Sequence, residues 1–168
     1  MVSIALVFSR AAYKRLSHYE VDRVVANGHE FQGVKQFRQL LGTERRVVEC
    51  RFAHLKDGAK PVLDDASLTW YEVGRRGRSE EYRAYFSTAL VWNFASAGDC
   101  LFLIELEDDR HVAVVVQADS DSENMMQTLL GIGPNWEKFR NYLELPGEVD
   151  TELVTEFFHL VGLSDWSL

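Results

Sequence analysis

The chain has 168 residues, 46% of them hydrophobic and 26% charged, which suits one domain with a buried core and excludes a disordered chain. No apolar run approaches the ~20 residues that span a bilayer, and Val2–Phe8 is too short for the apolar part of a secretory leader. Two cysteines are too few for a disulfide framework or a CxxC zinc site, so we expect a cytoplasmic protein that contacts no membrane.

The net charge of −8 is distributed unevenly along the chain. Residues 1–90 hold 15 of the 18 basic residues and 11 acidic ones, which gives about +4. Residues 91–168 hold 3 basic and 15 acidic residues, which gives about −12. Because a charge acts within a Debye length of ~10 Å, a basic working face and an acidic back can coexist in one domain.

The first elements in chain order are a strand, a polar loop and a helix. Ser3–Leu16 is apolar with a basic end and predicts a strand, whereas Ser17–Glu30 is polar and contains the loop signal Asn27-Gly28. From Gly33 the apolar residues recur with helical spacing, and the glycine at position 42 is a suitable stop. The apolar residues of this predicted helix are Val34, Phe37, Leu40 and Leu41.

The middle of the chain predicts three strands. Arg46–Leu55 alternates apolar with charged or small residues, which indicates a half-buried strand, and the turn Lys56–Gly58 follows it. Ser67–Val73 predicts a second strand and Tyr82–Phe86 a third. Between these two lies the charged loop Gly74–Glu81.

A hairpin is the clearest element of the remaining chain. Cys100–Glu107 and His111–Ala118 form its two strands, after a short predicted helix at Thr88–Phe94 that Gly98 closes. Further helices are predicted C-terminal to the hairpin, the first of them opened by a capping box of Ser120 and Glu123. These helices span Asp121–Leu130, Trp136–Leu143 and Val149–Val161.

This series of elements predicts a mostly β fold with short helices, of the α+β class. Many strands with short connections favour a β-barrel or sandwich with helices at its ends. We expect a body at residues 1–132 and an acidic helical tail at residues 133–168. The tail's apolar residues are expected to pack on the body, because large exposed apolar patches are uncommon on soluble domains. They are Phe157, Phe158, Leu160 and Val161.

Nuclease chemistry is not expected in this chain. Nucleases that use Mg²⁺ need converging carboxylates, often with one of them two residues before a lysine. None of the five lysines has an acidic residue two positions earlier. The acid pairs Asp64-Asp65 and Glu80-Glu81 are predicted to be solvated turns in loops. We therefore expect no enzyme activity, no metal and no cofactor.

Nucleophilic catalysis has equally little support. Cys50 and Cys100 lie in apolar strand patterns and are predicted to be inert core residues. No GxSxG elbow, HExxH motif or phosphate-binding loop is present. A hydrolase that uses His29 is the weakest hypothesis for this chain. Three other histidines are expected at the surface or at strand ends, namely His54, His111 and His159.

Two polar segments carry most of the functional signal. We call Lys14–His29 the first arm and Arg75–Arg83 the second arm. Arginine recognises guanine by two hydrogen bonds in the major groove, and lysine holds phosphates. Arginine clusters also bind acidic proteins and phosphorylated peptides. Composition alone leaves a DNA-binding domain and a non-enzymatic protein-interaction module, using the arginine loop and the acidic tail, as alternatives.

Several short motifs occur in a characteristic order along the chain. They are Tyr13–Ser17, Gly28–Glu30, Gly33, Ser67–Tyr71, Arg78–Arg83, Ala97–Asp99 and Leu129–Ile132. Together they resemble the amino-terminal effector domain of EcoRII-like type II restriction endonucleases, over most of residues 10–132. The resemblance implies an open antiparallel β pseudobarrel of the plant B-three DNA-binding type, whose two arms grip the major groove of double-stranded DNA.

The resemblance also implies allosteric regulation in a restriction-modification system. The family domain binds a short specific site without cutting it, and it restrains a C-terminal nuclease domain of the same polypeptide until effector DNA binds. No such nuclease domain is found in this sequence. The helical tail at residues 133–168 would lead towards it.

Candidate DNA-binding residues follow from matching the family motifs to this sequence. In the second arm one extra residue precedes Arg83, which leaves Glu80 and Glu81 as alternatives for the base-recognising acid. The first-arm candidates are Lys14, Arg15, Ser17 and His29, with Lys35 just beyond. The second-arm candidates from the motifs are Arg78, Glu80, Glu81 and Arg83, and the arginine-rich loop itself adds Arg75 and Arg76.

Overall fold

A computed structural model describes residues 8–21, 30–33, 35–74, 81–87, 93–106, 109–131, 142–144 and 151–163. Within these residues, eight strands form one sheet and four helices accompany it. The strands are β1 Phe8–Arg15, β2 Glu30–Gly33, β3 Arg46–Leu55, β4 Val62–Val73, β5 Glu81–Phe86, β6 Cys100–Leu106, β7 His111–Val116 and β8 Tyr142–Glu144. The helices are α1 His18–Val21, α2 Lys35–Leu41, α3 Asp121–Leu129 and α4 Thr151–Leu160. No helix among the described residues is long and apolar enough to cross a membrane.

The sheet is open, and its strand order is β2-β5-β4-β3-β7-β6-β1-β8. All neighbouring strands are antiparallel except β3 and β7, which pair in parallel from Cys50 opposite His111 to Leu55 opposite Val116. A parallel pair needs a long connection, and the chain between β3 and β7 forms β4, β5 and β6.

Both faces of the sheet are covered, because residues that alternate along a strand enter two separate cores. Tyr13 of β1 belongs to the core beneath α3 and α4, whereas its neighbour Ala12 belongs to the core around α2. This second core joins Leu101 of β6 with Phe86 of β5, four strands apart in the order. The sheet therefore curls around α2 as a half-barrel.

Aromatic rings fill the concave side of the half-barrel. Phe86 packs edge-to-face on Phe52, with ring centroids 4.3 Å apart, and on Phe31 at 5.2 Å. Trp70 stacks on Tyr82 at 5.1 Å. The indole N–H of Trp70 donates to the Gly42 carbonyl at 3.0 Å, which ties the end of α2 to β4. This core fixes α2 against the strands that lead into and out of the second arm.

Most of the predicted elements are confirmed. The mostly β class with short helices, the open pseudobarrel sheet and the C-terminal helix are present. The predicted strand Arg46–Leu55 is β3, the predicted hairpin is β6–β7, and the predicted helix after Gly33 is α2. Ser120 Oγ accepts from the Glu123 N–H at 3.1 Å and caps α3. Both cysteines are free and buried in the core, as predicted.

Four predictions about local structure are wrong. The acid pair Asp64-Asp65 lies in β4 rather than in a loop, because β3 supplies backbone partners as far as Val62. Glu81 begins β5 instead of ending the loop before it. Tyr142–Glu144 forms strand β8 against β1 where a helix was predicted. The predicted loop Ser17–Glu30 contains helix α1 and ends in the first residue of β2. His54 and His111 lie at or near strand ends, as predicted, and both are buried.

The described part of the acidic tail packs on the sheet. β8 extends the sheet beyond β1, α4 contributes Val154 and Phe157 to the core beneath it, and Val161, just after α4, joins the same core. The prediction that the tail's apolar residues pack on the body is confirmed for Phe157 and Val161. The division into a body at 1–132 and a tail at 133–168 stays a prediction. Of the predicted helix Thr88–Phe94, residues 88–92 lie outside the described residues.

Candidate nucleic-acid interface

The first arm begins at the carboxyl end of β1, where the Lys14 side chain points into the protein. Its ammonium group lies 2.6 Å from Glu20 Oε2, and Lys14 is only 8% exposed. The other carboxylate oxygen of Glu20 accepts from the Ser17 N–H at 3.0 Å and from the Ser17 hydroxyl at 3.1 Å. Two of the predicted DNA-binding residues, the buried Lys14 and the exposed Ser17, thus contact one buried glutamate of α1.

Arg15 points to the opposite face of the sheet, as alternation along a strand requires. Its guanidinium forms an ion pair with Glu123, in the first turn of α3, and donates to the Gly98 carbonyl at 3.2 Å. Glu20 and Glu123 both occupy the fourth position of a Ser-x-x-Glu capping pattern, after Ser17 and Ser120. The two basic residues that end β1 are therefore each paired with a capping glutamate.

Helix α1 exposes two residues of the first arm, His18 and Tyr19, and neither was among the candidates from sequence. Tyr19 is 72% exposed, and its ring lies edge-on to that of His18, with centroids 6.0 Å apart. The signal that predicted the start of α3, Ser-x-x-Glu, is also present at Ser17 and Glu20 and could have revealed α1. The many polar residues of this stretch and its Asn27-Gly28 signal favour a loop instead, which is why the sequence prediction missed α1.

Helix α2 begins in the space between the two strands from which the arms extend, β1 and β5. Gln36 in its first turn donates to the Tyr13 carbonyl at 3.2 Å, so α2 starts beside the end of β1. Gly33, two residues before Lys35, lies opposite Tyr82 in the pairing of β2 with β5. The start of α2 therefore lies between the end of β1 and strand β5, and Lys35, its first residue, is exposed there.

Arg83 lies at the described end of the second arm, and Glu81 holds its guanidinium in one direction. Glu81 Oε1 accepts from Arg83 Nε at 3.1 Å and from Arg83 Nη2 at 2.5 Å, and both side chains are partly exposed on β5. The choice between Glu80 and Glu81 as the base-recognising acid stays a prediction, because Glu80 lies outside the described residues. His29 and the second-arm arginines at 75, 76 and 78 lie outside them as well.

The convex face beside Arg83 carries aromatic side chains that the sequence analysis did not single out. Tyr71 on β4 lies opposite Arg83, and Tyr85, two residues further along β5, is 39% exposed. Their alternation with the buried Trp70 and Ala84 is the period-two signal that could have placed them on this face. A partly exposed arginine between tyrosines can contact bases, sugars or phosphates.

The described residues contain no cluster of three or more histidine, cysteine or acidic side chains able to hold a metal ion. Burial raises the pKa of the Cys50 thiol far above its usual value, which keeps the sulfur protonated and unreactive. His111 is fully buried, 3.7 Å from Glu105, and burial lowers its pKa to about 4. These groups are part of the core and do not line the arms.

No protein-family model and no curated protein sequence matches this chain. Among solved structures, the chain is similar to one titled Arabidopsis FUS3-DNA complex. The similarity covers 64% of this chain and 96% of that chain, with 14% sequence identity and a TM-score of 0.43.

Proposed function

We propose that this chain is a non-cleaving domain that binds a specific site on double-stranded DNA in the major groove through its two arms. The proposal extends to its setting: the chain acts as the effector domain of an EcoRII-like restriction endonuclease whose nuclease domain is a separate part of the polypeptide. The observation that carries the DNA-binding proposal is the position of Lys35 at the start of α2, exposed beside both arms.

The chemistry of these residues fits DNA. Lys35 supplies a positive charge for a phosphate between the arms, and a phosphate contact orients a protein on the duplex without sequence information. Arg83 supplies a guanidinium whose direction Glu81 holds, and an arginine that recognises guanine needs a defined direction. Lys35 would therefore contribute to affinity for any duplex, and Arg83 to specificity for one site.

Charge on the part of the convex face that lies over β1, β6 and β7, away from Arg83 at β5, bears on the approach of a duplex. Helices α3 and α4 cover the face of the sheet away from α2 and carry the exposed acidic residues Asp121, Glu152 and Glu156. Within a Debye length these carboxylates repel phosphate. A duplex would therefore approach the arms and α2 rather than the two C-terminal helices.

The test is selection of bound duplexes from a randomised DNA pool, followed by affinity measurements on the enriched site over a range of salt concentrations. We expect one short motif to be enriched and its affinity to fall steeply with salt. Arg83→Ala should weaken binding to that site by about 1–3 kcal/mol and relax selectivity there. Lys35→Ala should weaken all duplexes alike and reduce the salt slope by about 0.9.

Lys60→Ala is the matched control for Lys35→Ala. Lys60 is also exposed but lies in the turn before β4, at the opposite end of that strand from the second arm. We expect it to leave both affinity and salt slope unchanged. Absence of any enriched motif, with equally weak binding to every duplex, would contradict specific recognition and favour the protein-interaction module.

A further inference from the structure

We propose that Tyr19, together with His18, forms a contact surface of the first arm for the sugar-phosphate backbone of DNA, and that Lys14 positions this surface through Glu20. This inference rests on the proposed function, because it names the groups with which the first arm contacts the duplex. It assigns Lys14 a positioning role, in place of the direct DNA contact expected from the sequence.

Exposure of Tyr19 is the first observation. At 72% it is the most exposed of the large hydrophobic side chains among the described residues. A single exposed apolar residue is ordinary on a protein surface. Tyr19, however, lies within the first arm and beside a second aromatic ring, that of His18.

The second observation is how firmly α1 is held. A helix of four residues is not stable alone, because forming its first turn fixes several dihedral angles for one hydrogen bond. Here three contacts converge on the Glu20 carboxylate, one from Lys14 and two from Ser17. Because Glu20 directly follows Tyr19 in the chain, fixing Glu20 inside the protein keeps Tyr19 on the outside.

Burial of the Lys14–Glu20 ion pair costs desolvation free energy, so the pair adds little net stability to the fold. Burying two opposite charges costs several kcal/mol of desolvation, which their attraction repays only with good geometry and further hydrogen bonds. The pair meets that condition, since Ser17 satisfies the second oxygen of Glu20. The visible result of the pair is a defined direction for the exposed residues of α1.

Lys14 cannot make this contact and also bind a phosphate. Its ammonium group is buried at 2.6 Å from Glu20, and reaching a phosphate outside would require separating the pair. Breaking a buried pair leaves an uncompensated charge inside the protein, at a large energetic cost. The positioning role therefore agrees with the geometry better than direct contact does.

The chemistry of Tyr19 and His18 suits the backbone of a duplex. A tyrosine hydroxyl and an imidazole N–H both donate hydrogen bonds to phosphate oxygens. The tyrosine ring can also pack on the apolar edge of a deoxyribose. Such contacts are the same for every sequence, so α1 would set the register of the domain on DNA while the second arm recognises bases.

The first experiment compares Tyr19→Ala and Tyr19→Phe with the wild-type protein on the selected duplex and on an unrelated duplex. We expect Tyr19→Ala to weaken both duplexes about 3–10-fold and Tyr19→Phe to weaken both about 3-fold, in line with the loss of a hydrogen bond. The salt slope should stay unchanged, because a neutral hydroxyl displaces no condensed cation. Val47→Ala, at a similarly exposed hydrophobic residue on β3, should change neither affinity.

The second experiment determines the role of Lys14. In Glu20→Gln the amide oxygen can still accept from Ser17, but Lys14 loses its charged partner. If Lys14 positions α1, affinity falls and the salt slope stays constant. If Lys14 can contact phosphate, the released ammonium group raises affinity and steepens the slope by about 0.9, which overturns the positioning role.

A double-mutant cycle tests independently whether Lys14 acts by positioning α1. Lys14→Met in a His18→Ala/Tyr19→Ala background should cost little more than that background alone, because the contacts that Lys14 positions are already absent. Additive losses would overturn the link between Lys14 and the exposed residues of α1. If Lys14→Met does not fold, as judged by thermal unfolding, Glu20→Gln decides alone.

Failure of this inference and failure of the proposed function give different results. Wild-type protein that binds no duplex overturns the proposed function and with it this inference. Wild-type protein that selects a motif while Tyr19→Ala binds normally overturns the inference alone. Loss of binding confined to single-stranded or mismatched DNA would indicate stacking on an unpaired base and would overturn the backbone contact.

Discussion

Glu81 and Arg83 are two residues apart on β5, and one carboxylate oxygen of Glu81 accepts hydrogen bonds from two nitrogens of the Arg83 guanidinium. Alternation along the strand places both side chains on the same face of the sheet. Because both are partly exposed, their contribution to stability is between about 0 and 1 kcal/mol. The consequence of the pair is therefore orientation of the arginine.

Replacing Glu81 should reduce specificity more than affinity. In Glu81→Gln the arginine loses its fixed direction and its neutralising partner, so contact with the correct base weakens while general attraction to phosphate increases. We expect the ratio of affinities for the selected and an unrelated duplex to fall by up to the ~1–3 kcal/mol that one arginine–base contact provides. Competition binding with the two duplexes measures this ratio, and an unchanged ratio would show that Glu81 does not orient Arg83 for recognition.

Gly33 is a packing requirement where β2 meets the aromatic core. A β-carbon there would lie 2.6 Å from Trp70 Cη2 and 2.6 Å from the Tyr82 backbone. Gly33→Ala should therefore destabilise the protein by about 1–3 kcal/mol through overpacking, and it should displace α2 and weaken DNA binding. Denaturant unfolding measures the change.

Gly74→Ala is the matched control, since no atom lies within 4 Å of the added carbon. It should leave stability within about 0.5 kcal/mol of wild type. Equal stability of the two variants would mean that β2 can move away from Trp70 without cost.

Phe157 anchors α4 to the sheet. Its side chain is fully buried in the core shared with β1, β6 and β7. Phe157→Ala should lower the free energy of unfolding by about 3–5 kcal/mol, because it removes buried surface and leaves a cavity. The exposed neighbour Glu156→Ala should change it by less than about 0.5 kcal/mol. A small effect of Phe157→Ala in urea unfolding would argue that the body folds without the tail.

His111 should make stability depend on pH between about 4 and 6.5. Burial lowers its pKa to about 4, with Arg46 adding to the effect and the carboxylate of Glu105 opposing it. The unfolded chain, with a pKa near 6.5, binds the proton more readily as pH falls, so stability present above 6.5 is lost towards pH 4. The full loss amounts to about 3 kcal/mol.

The variant His111→Asn isolates this contribution, because other groups also titrate in the same range. We expect the difference in unfolding free energy between wild type and variant to shrink as pH is lowered from 7 to 4. Parallel pH profiles for the two proteins would show that His111 does not remain neutral in the folded state.

Elements with a strong local pattern could be predicted from the sequence. The hairpin β6–β7, the strand β3 and the capped helix α3 each depend on residues close together in the chain. The arms were also placed by local features, namely basic residues in polar segments between strands. The helix predicted over Trp136–Leu143 is wrong at its end, because residues 142–144 pair with β1 residues that lie 130 to 134 positions away in the chain.

The amino-acid sequence by itself determined the fold class, the two polar arms and the uneven charge, because composition and short-range periodicity express these properties directly. Only the tertiary structure decided what each basic side chain does. Lys14 is adjacent to Arg15 in the chain, yet the strand directs one to Glu20 and the other to Glu123, on opposite faces of the sheet. A charge in a sequence has no partner until the chain folds, and burial next to that partner decides whether the charge can reach a ligand.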